Sequence, residues 1–411
     1  MFFGKCYTSF IRFYYFCMEK ERIVMLKYFT NTKIYLHCAA VLVVVTIAIS
    51  CYYLMASFSQ QQTTTYLYID DNDTQDSVYN KLTDIASTPG MAALRTLCRH
   101  SGYAEQVRTG RYAIEPGVST FRIWRKLKNG AQDPLNLTIP ESRTMERLAA
   151  LLGNKLMIDS MEIVNFLKDS SQCAMLGYDT ATIPALFVPN TYSIYWNISM
   201  EAFMQRMKKE HDVFWSKEGR KEKAQGLNPT EDEVATLASI IDEETANNGE
   251  KPMIAGMYYN RLKAEMPLQA DPTVKFALKD FALRRIYNKL LSTDSPYNTY
   301  KNTEYPEGMP LQADPTVKFA LGDFSIRRIY HKHLLTDSRY NTYKYPGLPP
   351  GPIKIASIRG IDAVLNHAKH DYLYMCAKED FSGTHNFAKT YDEHLRNAAR
   401  YAKSLNERGI N

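Results

Sequence analysis

The 411-residue chain is poor in cysteine chemistry. None of its seven cysteines forms a CxxC pair, which removes the usual signatures of zinc ribbons and dithiol redox centres. Cys6, Cys17, Cys38 and Cys51 lie in or before an apolar N-terminal run. Cys98, Cys173 and Cys376 follow it and allow one disulfide at most. Metal-ligand spacing is also missing. His385 and His394 stand nine residues apart with no cysteine or carboxylate cluster beside them. The acidic run at 70–73 lacks the glycine and closing Glu of a calcium loop and reads as a helix cap. Neither a metal nor a cofactor is expected.

Charge is absent from residues 34–69, which contain no Asp, Glu, Lys or Arg. Residues 34–58 (IYLHCAAVLVVVTIAISCYYLMASF) are almost wholly apolar, and a helix needs roughly 20 such residues to cross a bilayer. Ahead of them stand Lys5, Arg12, Lys20, Arg22, Lys27 and Lys33 against Glu19 and Glu21. That cationic excess predicts a cytoplasmic tail over 1–33, a transmembrane helix over 34–58 and everything later outside. A cleaved signal peptide is the competing reading, but the run is long for its apolar core and no small-x-small site follows crisply. Membrane lipid is therefore an expected partner through one helix. Without the tail, 44 basic residues meet 42 acidic ones, so the external part has little of the cationic excess that nucleic acid binding draws on.

Beyond a polar spacer (QQQTTTY), YLYI alternates like a strand, apolar residues follow at helical spacing, and residues 112–114 read as a second strand. Ser119 is placed to cap a helix that Gly130 ends, and LNLTI (135–139) reads as a returning strand. These pieces predict a compact α+β module. A helix over 144–152 stops at Gly153, and IPALFVPNTYSIYW gives a strand and turn before a long polar helix from about Met200. The charge run 217–223 reads as an exposed face or linker, and the composition changes near Gly226.

NPTEDEVATLASIIDEET (228–245) announces a helix, with Thr230 and Glu233 spaced as a capping box and three acids in the first turn. At about 100° per residue, Val234, Leu237, Ala238 and Ile241 make one apolar face. Glu243 then points about 180° away, toward solvent, Asp242 sits on one edge near +80°, and Glu244 falls near −80°, almost in line with Leu237. Partial burial at Glu244 would keep a proton available near neutral pH. Asp242 and Glu244 diverge too far to act as the paired carboxylates of an ordinary glycosidase. A catalytic acid on this helix works alone or finds its partner elsewhere.

MPLQADPTVKFAL occurs at 266–278 and again at 309–321. The full repeat aligns 266–301 with 309–344 at an offset of 43, with 29 of 36 positions identical. Two copies are too few for a solenoid and point to a local tandem duplication.

LASIIDEET, YYNRL, MPLQADPTV, YNTY, GLPPGPI and THNF, preceded by GRYAIEPG and FVPNTY, resemble in order and spacing the endolytic murein transglycosylase family (MltG, or YceG-like). The resemblance implies an α+β chain with a small LysM-like α+β module over 59–139, a connecting α/β region over 140–226, and a mixed α/β catalytic domain over 227–405 that carries its Glu on a helix and contains the duplication. It implies cleavage of nascent peptidoglycan glycan strands at the MurNAc–GlcNAc bond to leave 1,6-anhydro-MurNAc ends. It also implies a bacterial inner-membrane location with the catalytic domain periplasmic, and peptidoglycan synthases as partners. The family's catalytic Glu falls on Glu244, the residue that helix geometry selects.

Asn260, Gln269, Asp271, Thr273, Asn341 and Tyr343 fall on family motifs and are candidates for substrate binding; helix capping and turn formation are the alternative for Asn260, Gln269, Asp271 and Thr273. Gln269 lies 25 residues after Glu244, as the family pattern requires, whereas GLPPGPI follows only the second copy. The first copy is thus expected to supply LQADP and the second the exit, leaving about 281–314 as extra chain. In the rival arrangement the second copy docks and the first bulges out. A duplication that ruins the cleft would leave a membrane-anchored glycan-binding scaffold.

Overall fold

A computed structural model describes residues 35–52, 54, 55, 57–266, 268 and 347–408. Almost all of both repeat copies, and with them Gln269, Asp271, Thr273, Asn341 and Tyr343, lie outside the described residues. The chain falls into two compact units that divide between Asp133 and Pro134. Helix α1 (Tyr35–Tyr52) is long and apolar enough to cross a membrane.

The first unit runs β1 (Thr65–Ile69), α2 (Gln75–Leu82), α3 (Thr88–Ser101), β2 (Gly110–Ile114) and α4 (Thr120–Asn129). The two strands pair antiparallel, with Leu67 opposite Tyr112 and Ile69 opposite Gly110. Alternation puts Leu67, Ile69, Tyr112 and Ile114 on one face, where they pack with Val78, Leu82, Leu94, Ile123 and Leu127. Ser119 accepts from the N–H of Arg122 and Gly130 closes α4 in the left-handed conformation, as their positions in the sequence predict.

The second unit begins with β3 (Leu135–Ile139), α5 (Met145–Gly153), α6 (Ser160–Lys168), α7 (Ser170–Met175), a 3-10 turn (Ile183–Leu186) and β4 (Asn190–Ile194). The strand at 135–139 does not return to the first module. It pairs antiparallel with β4, Leu135 opposite Ile194, and turns Leu137 and Ile139 into a core shared with Leu148, Ile163, Tyr192 and Phe203. A strand's own residues fix which side is apolar but not which neighbour it joins.

Then come α8 (Met200–Ser216), α9 (Arg220–Leu227), α10 (Glu231–Glu244), α11 (Lys251–Lys263), α12 (Ile358–Leu365), the antiparallel pair β5 (Tyr374–Ala377) and β6 (His385–Ala388), and α13 (Tyr391–Glu407). The composition change near Gly226 therefore falls inside one unit rather than between two. The charge run beside it is no linker: Arg220 is buried, with its Nε 2.8 Å from Asp362 on α12. Cys98, Cys173 and Cys376 are free thiols.

Candidate active site

Helix α10 starts as the sequence predicts. Thr230 accepts from the N–H of Glu233 at 3.2 Å, and the Glu233 carboxylate accepts from the N–H of Thr230 at 2.7 Å. Its middle departs from a simple amphipathic face, because every residue from Val234 to Ile241 is buried. The helix is central, packed by α9, α11, α12 and the 3-10 turn. Small polar residues make this possible. Thr236 donates to the carbonyl of Asp232 at 2.7 Å, while Ser239 donates to that of Thr236 at 2.7 Å and accepts the N–H of Ile353 at 3.0 Å. Ile353 belongs to GLPPGPI, so this motif lies along the helix. Its Gly351 approaches so closely that a Cβ there would sit 2.0 Å from the carbonyl oxygen of Ala181.

Three successive acids end α10, where the helix dipole is unfavourable to negative charge. The fold answers with cations from three directions. Asp242, with its side chain 1% exposed, meets Lys251 Nζ at 2.7 Å and accepts from both the N–H and the hydroxyl of Ser357. Glu243 is not in solvent as the helical wheel places it. Its side chain is only 8% exposed and takes Arg143 at 2.9 Å and Lys354 at 3.3 Å. A wheel describes one helix in isolation and cannot see that two other segments cover its outer side.

Glu244, the last residue of the helix, is partly exposed, and its Oε1 accepts from the Tyr258 hydroxyl at 2.5 Å. Tyr258 is 1% exposed. Lys251 and Tyr258 stand seven residues apart on α11, about two helical turns, so one face of that helix serves both Asp242 and Glu244. Sequence reasoning did not single out Arg143, Lys251, Tyr258, Lys354 or Ser357. The seven-residue spacing, read against the acids of α10, was the one local signal available.

Asn260 lies two residues beyond Tyr258, about 200° around α11. Its amide donates to the carbonyls of His370 at 2.6 Å and Tyr372 at 3.1 Å, tying α11 to the segment that leads into β5. Glu250, just before α11, accepts from the backbone N–H of His385 at 2.7 Å and pairs with its Nδ1 at 3.0 Å. His394 stacks on Tyr374 with ring centroids 5.5 Å apart, and burial, then the nearby Arg261 cation, pushes its pKa below the ordinary histidine value. Among the described residues no cluster of His, Cys, Asp or Glu could hold a metal.

The sequence matches the YceG-like family over residues 67–309 and 305–400, most of the chain. The chain belongs to that family. This YceG-like protein is 28% identical over 324 residues to a Bacillus subtilis protein named endolytic murein transglycosylase, covering 74% of this chain and 76% of the relative. It is 26% identical to a protein of the same name from Streptococcus pneumoniae strain D39, of whose length 52% is covered. A solved structure titled as a yceG-like protein from Listeria monocytogenes is 23% identical, with a TM-score of 0.46 over 82% of this chain and 99% of that one. The two family matches in this YceG-like chain overlap at 305–309, where the second copy of the repeat begins.

At the far end of α10 a cleft of about 380 Å³ is lined by Tyr178, Lys208, His211, Lys221, Thr230 and Asp232. Burial, then the neighbouring charge of Glu231, pushes Asp232 up to about 6.

Proposed function

We propose that this protein is a membrane-anchored lytic transglycosylase that cuts peptidoglycan glycan strands internally, with Glu244 as its single acid and base. The family membership and the names of the two relatives support the substrate class. The observation that carries the residue assignment is the hydroxyl of the buried Tyr258, which donates to Oε1 of Glu244 at the end of α10, while the two acids before it, Asp242 and Glu243, are tied to Lys251 and Lys354.

A lone acid suits a reaction with an internal nucleophile. Glu244 would protonate the glycosidic oxygen as the bond from C1 of N-acetylmuramic acid breaks. The carboxylate so formed would take the proton of that sugar's C6 hydroxyl as O6 bonds to C1, closing a 1,6-anhydro ring and restoring the acid. No water is consumed, and no second carboxylate has to hold one.

The β-α-α-β order of the first unit suits the LysM-like, glycan-holding module that the resemblance implies. Helix α1 would anchor the protein in the inner membrane, with its cationic tail cytoplasmic and the rest periplasmic. Synthases that extrude nascent strands would then work within its reach. Asn260 ties α11 to the segment before β5, while Gln269, Asp271 and Thr273 of the first copy, with Asn341 and Tyr343 of the second, would contact the sugar.

Full-length protein in detergent, given purified glycan strands, tests the assignment. Glu244→Gln should bind strands and release no product. Cutting by that variant removes Glu244 from the reaction, and binding without cutting by the unsubstituted protein would favour a scaffold.

A further inference from the structure

We infer that Tyr258 is a positioning residue for Glu244, one that fixes the carboxyl and stabilises the charge it acquires during the reaction. This inference rests on the reading of Glu244 as the acid and adds a residue to it. Tyr258 stands at the middle of α11, almost wholly buried, and its ring packs in the same core as Ile241, Ile254 and Leu268. A ring gripped in this way gives its hydroxyl little freedom. The hydroxyl donates to Oε1 of Glu244 at 2.5 Å.

Two consequences follow from which oxygen is engaged. With Oε1 accepting from the phenol, a proton carried by Glu244 sits on Oε2. When that proton leaves for the glycosidic oxygen, the negative charge spreads onto Oε1, where a donor already stands. A donor fixed at the site of developing charge lowers the barrier without reorganising as the reaction proceeds. The same bond favours the ionised form of Glu244 and opposes the effect of partial burial, which favours the neutral form. Tyr258 thus helps to set the pH at which Glu244 is lost as an acid. Among the described residues, the other charged groups at this end of α10 include Asp242 with Lys251, Glu243 with Arg143 and Lys354, and Glu250 with His385 in the turn that follows.

Tyr258→Phe keeps the ring and removes the donor. In the full-length protein acting on purified glycan strands, we expect kcat to fall about 100-fold with KM changed by less than about threefold. The alkaline limb of kcat/KM should move up by about one pH unit. Site-specific 3-fluorotyrosine at position 258 keeps ring and hydroxyl and makes the phenol a stronger donor, so the same limb should move down. Opposite shifts support the inference. If the Phe variant fails to fold, the direction of the fluorotyrosine shift decides alone. An unmoved limb, or one moving in the wrong direction, overturns the inference. In that case an inert Glu244→Gln protein would leave the proposed function standing, whereas an active one would remove both.

Discussion

Ser357 binds Asp242 twice, its backbone N–H 2.6 Å from one carboxylate oxygen and its hydroxyl 2.7 Å from the other. The same hydroxyl accepts the N–H of Gly360 at 2.8 Å, so it also caps α12. One carboxylate therefore joins the C-terminal end of α10 to the N-terminal end of α12, while Lys251 holds it from α11.

Asp242→Ala is expected to be a stability variant. It strands Lys251, whose side chain is 8% exposed, without a counter-charge and removes both bonds from Ser357. The expected loss is about 3–5 kcal/mol, read from urea unfolding of the full chain. An unfolding midpoint equal to that of the unsubstituted protein would show that this junction carries no weight.

Two glycines should respond in opposite directions. At Gly351 a Cβ would meet the carbonyl of Ala181 at 2.0 Å, so Gly351→Ala must push GLPPGPI and the backbone at Ala181 apart, at about 1–3 kcal/mol. At Gly226, inside α9, nothing lies within 4 Å, and Gly226→Ala should stabilise by about 0.5–1 kcal/mol. Paired thermal melts check both signs.

The cap of α10 gives a smaller, local effect. Thr230→Ala leaves the N–H of Glu233 without its side-chain acceptor and should cost about 1 kcal/mol. Glycan cleavage should be little changed, because Glu244 lies at the opposite end of the helix.

Asp232 gives stability a pH dependence. Folded, it keeps its proton up to about 6, against an ordinary value of 3.8. Between those values the folded state binds more protons than the unfolded one, so this residue's contribution is greatest at low pH and declines as pH rises through the window. Asp232→Asn should flatten the decline and raise the melting temperature at pH 7. An unchanged slope between about pH 4 and 6 would contradict the assignment.

The sequence carries local structure well and long-range partners poorly. Ser119, Gly130, Thr230 and Glu233 announce helix ends because a cap is made within four residues. The helical wheel places Glu244 beside an apolar flank on periodicity alone, whereas in the fold every residue from Val234 to Ile241 is buried. The burial of Glu243 does not, since Arg143 comes from a hundred residues earlier and Lys354 from beyond the duplication. The pairing of β3 with β4 was hidden for the same reason, because five alternating residues fix a face and not a neighbour. Asn260 carried a family motif, yet its amide serves two backbone carbonyls that only the folded chain brings near.

The duplication sets a further test. Gln269→Ala and Gln312→Ala, assayed separately for glycan cleavage, should differ, with the larger loss at Gln269 because it keeps the family spacing from Glu244. A larger loss at Gln312 would mean that the second copy docks, and equal losses would defeat both arrangements.

Mass spectrometry of the chain ends released from purified glycan strands tests the central claim most directly. A lone Glu244 that gives a proton to the leaving oxygen and takes one from the same sugar's C6 hydroxyl predicts 1,6-anhydro-muramoyl ends, with no oxygen incorporated from labelled water. Reducing ends carrying that label would contradict the account, since they require a water molecule and a base to activate it.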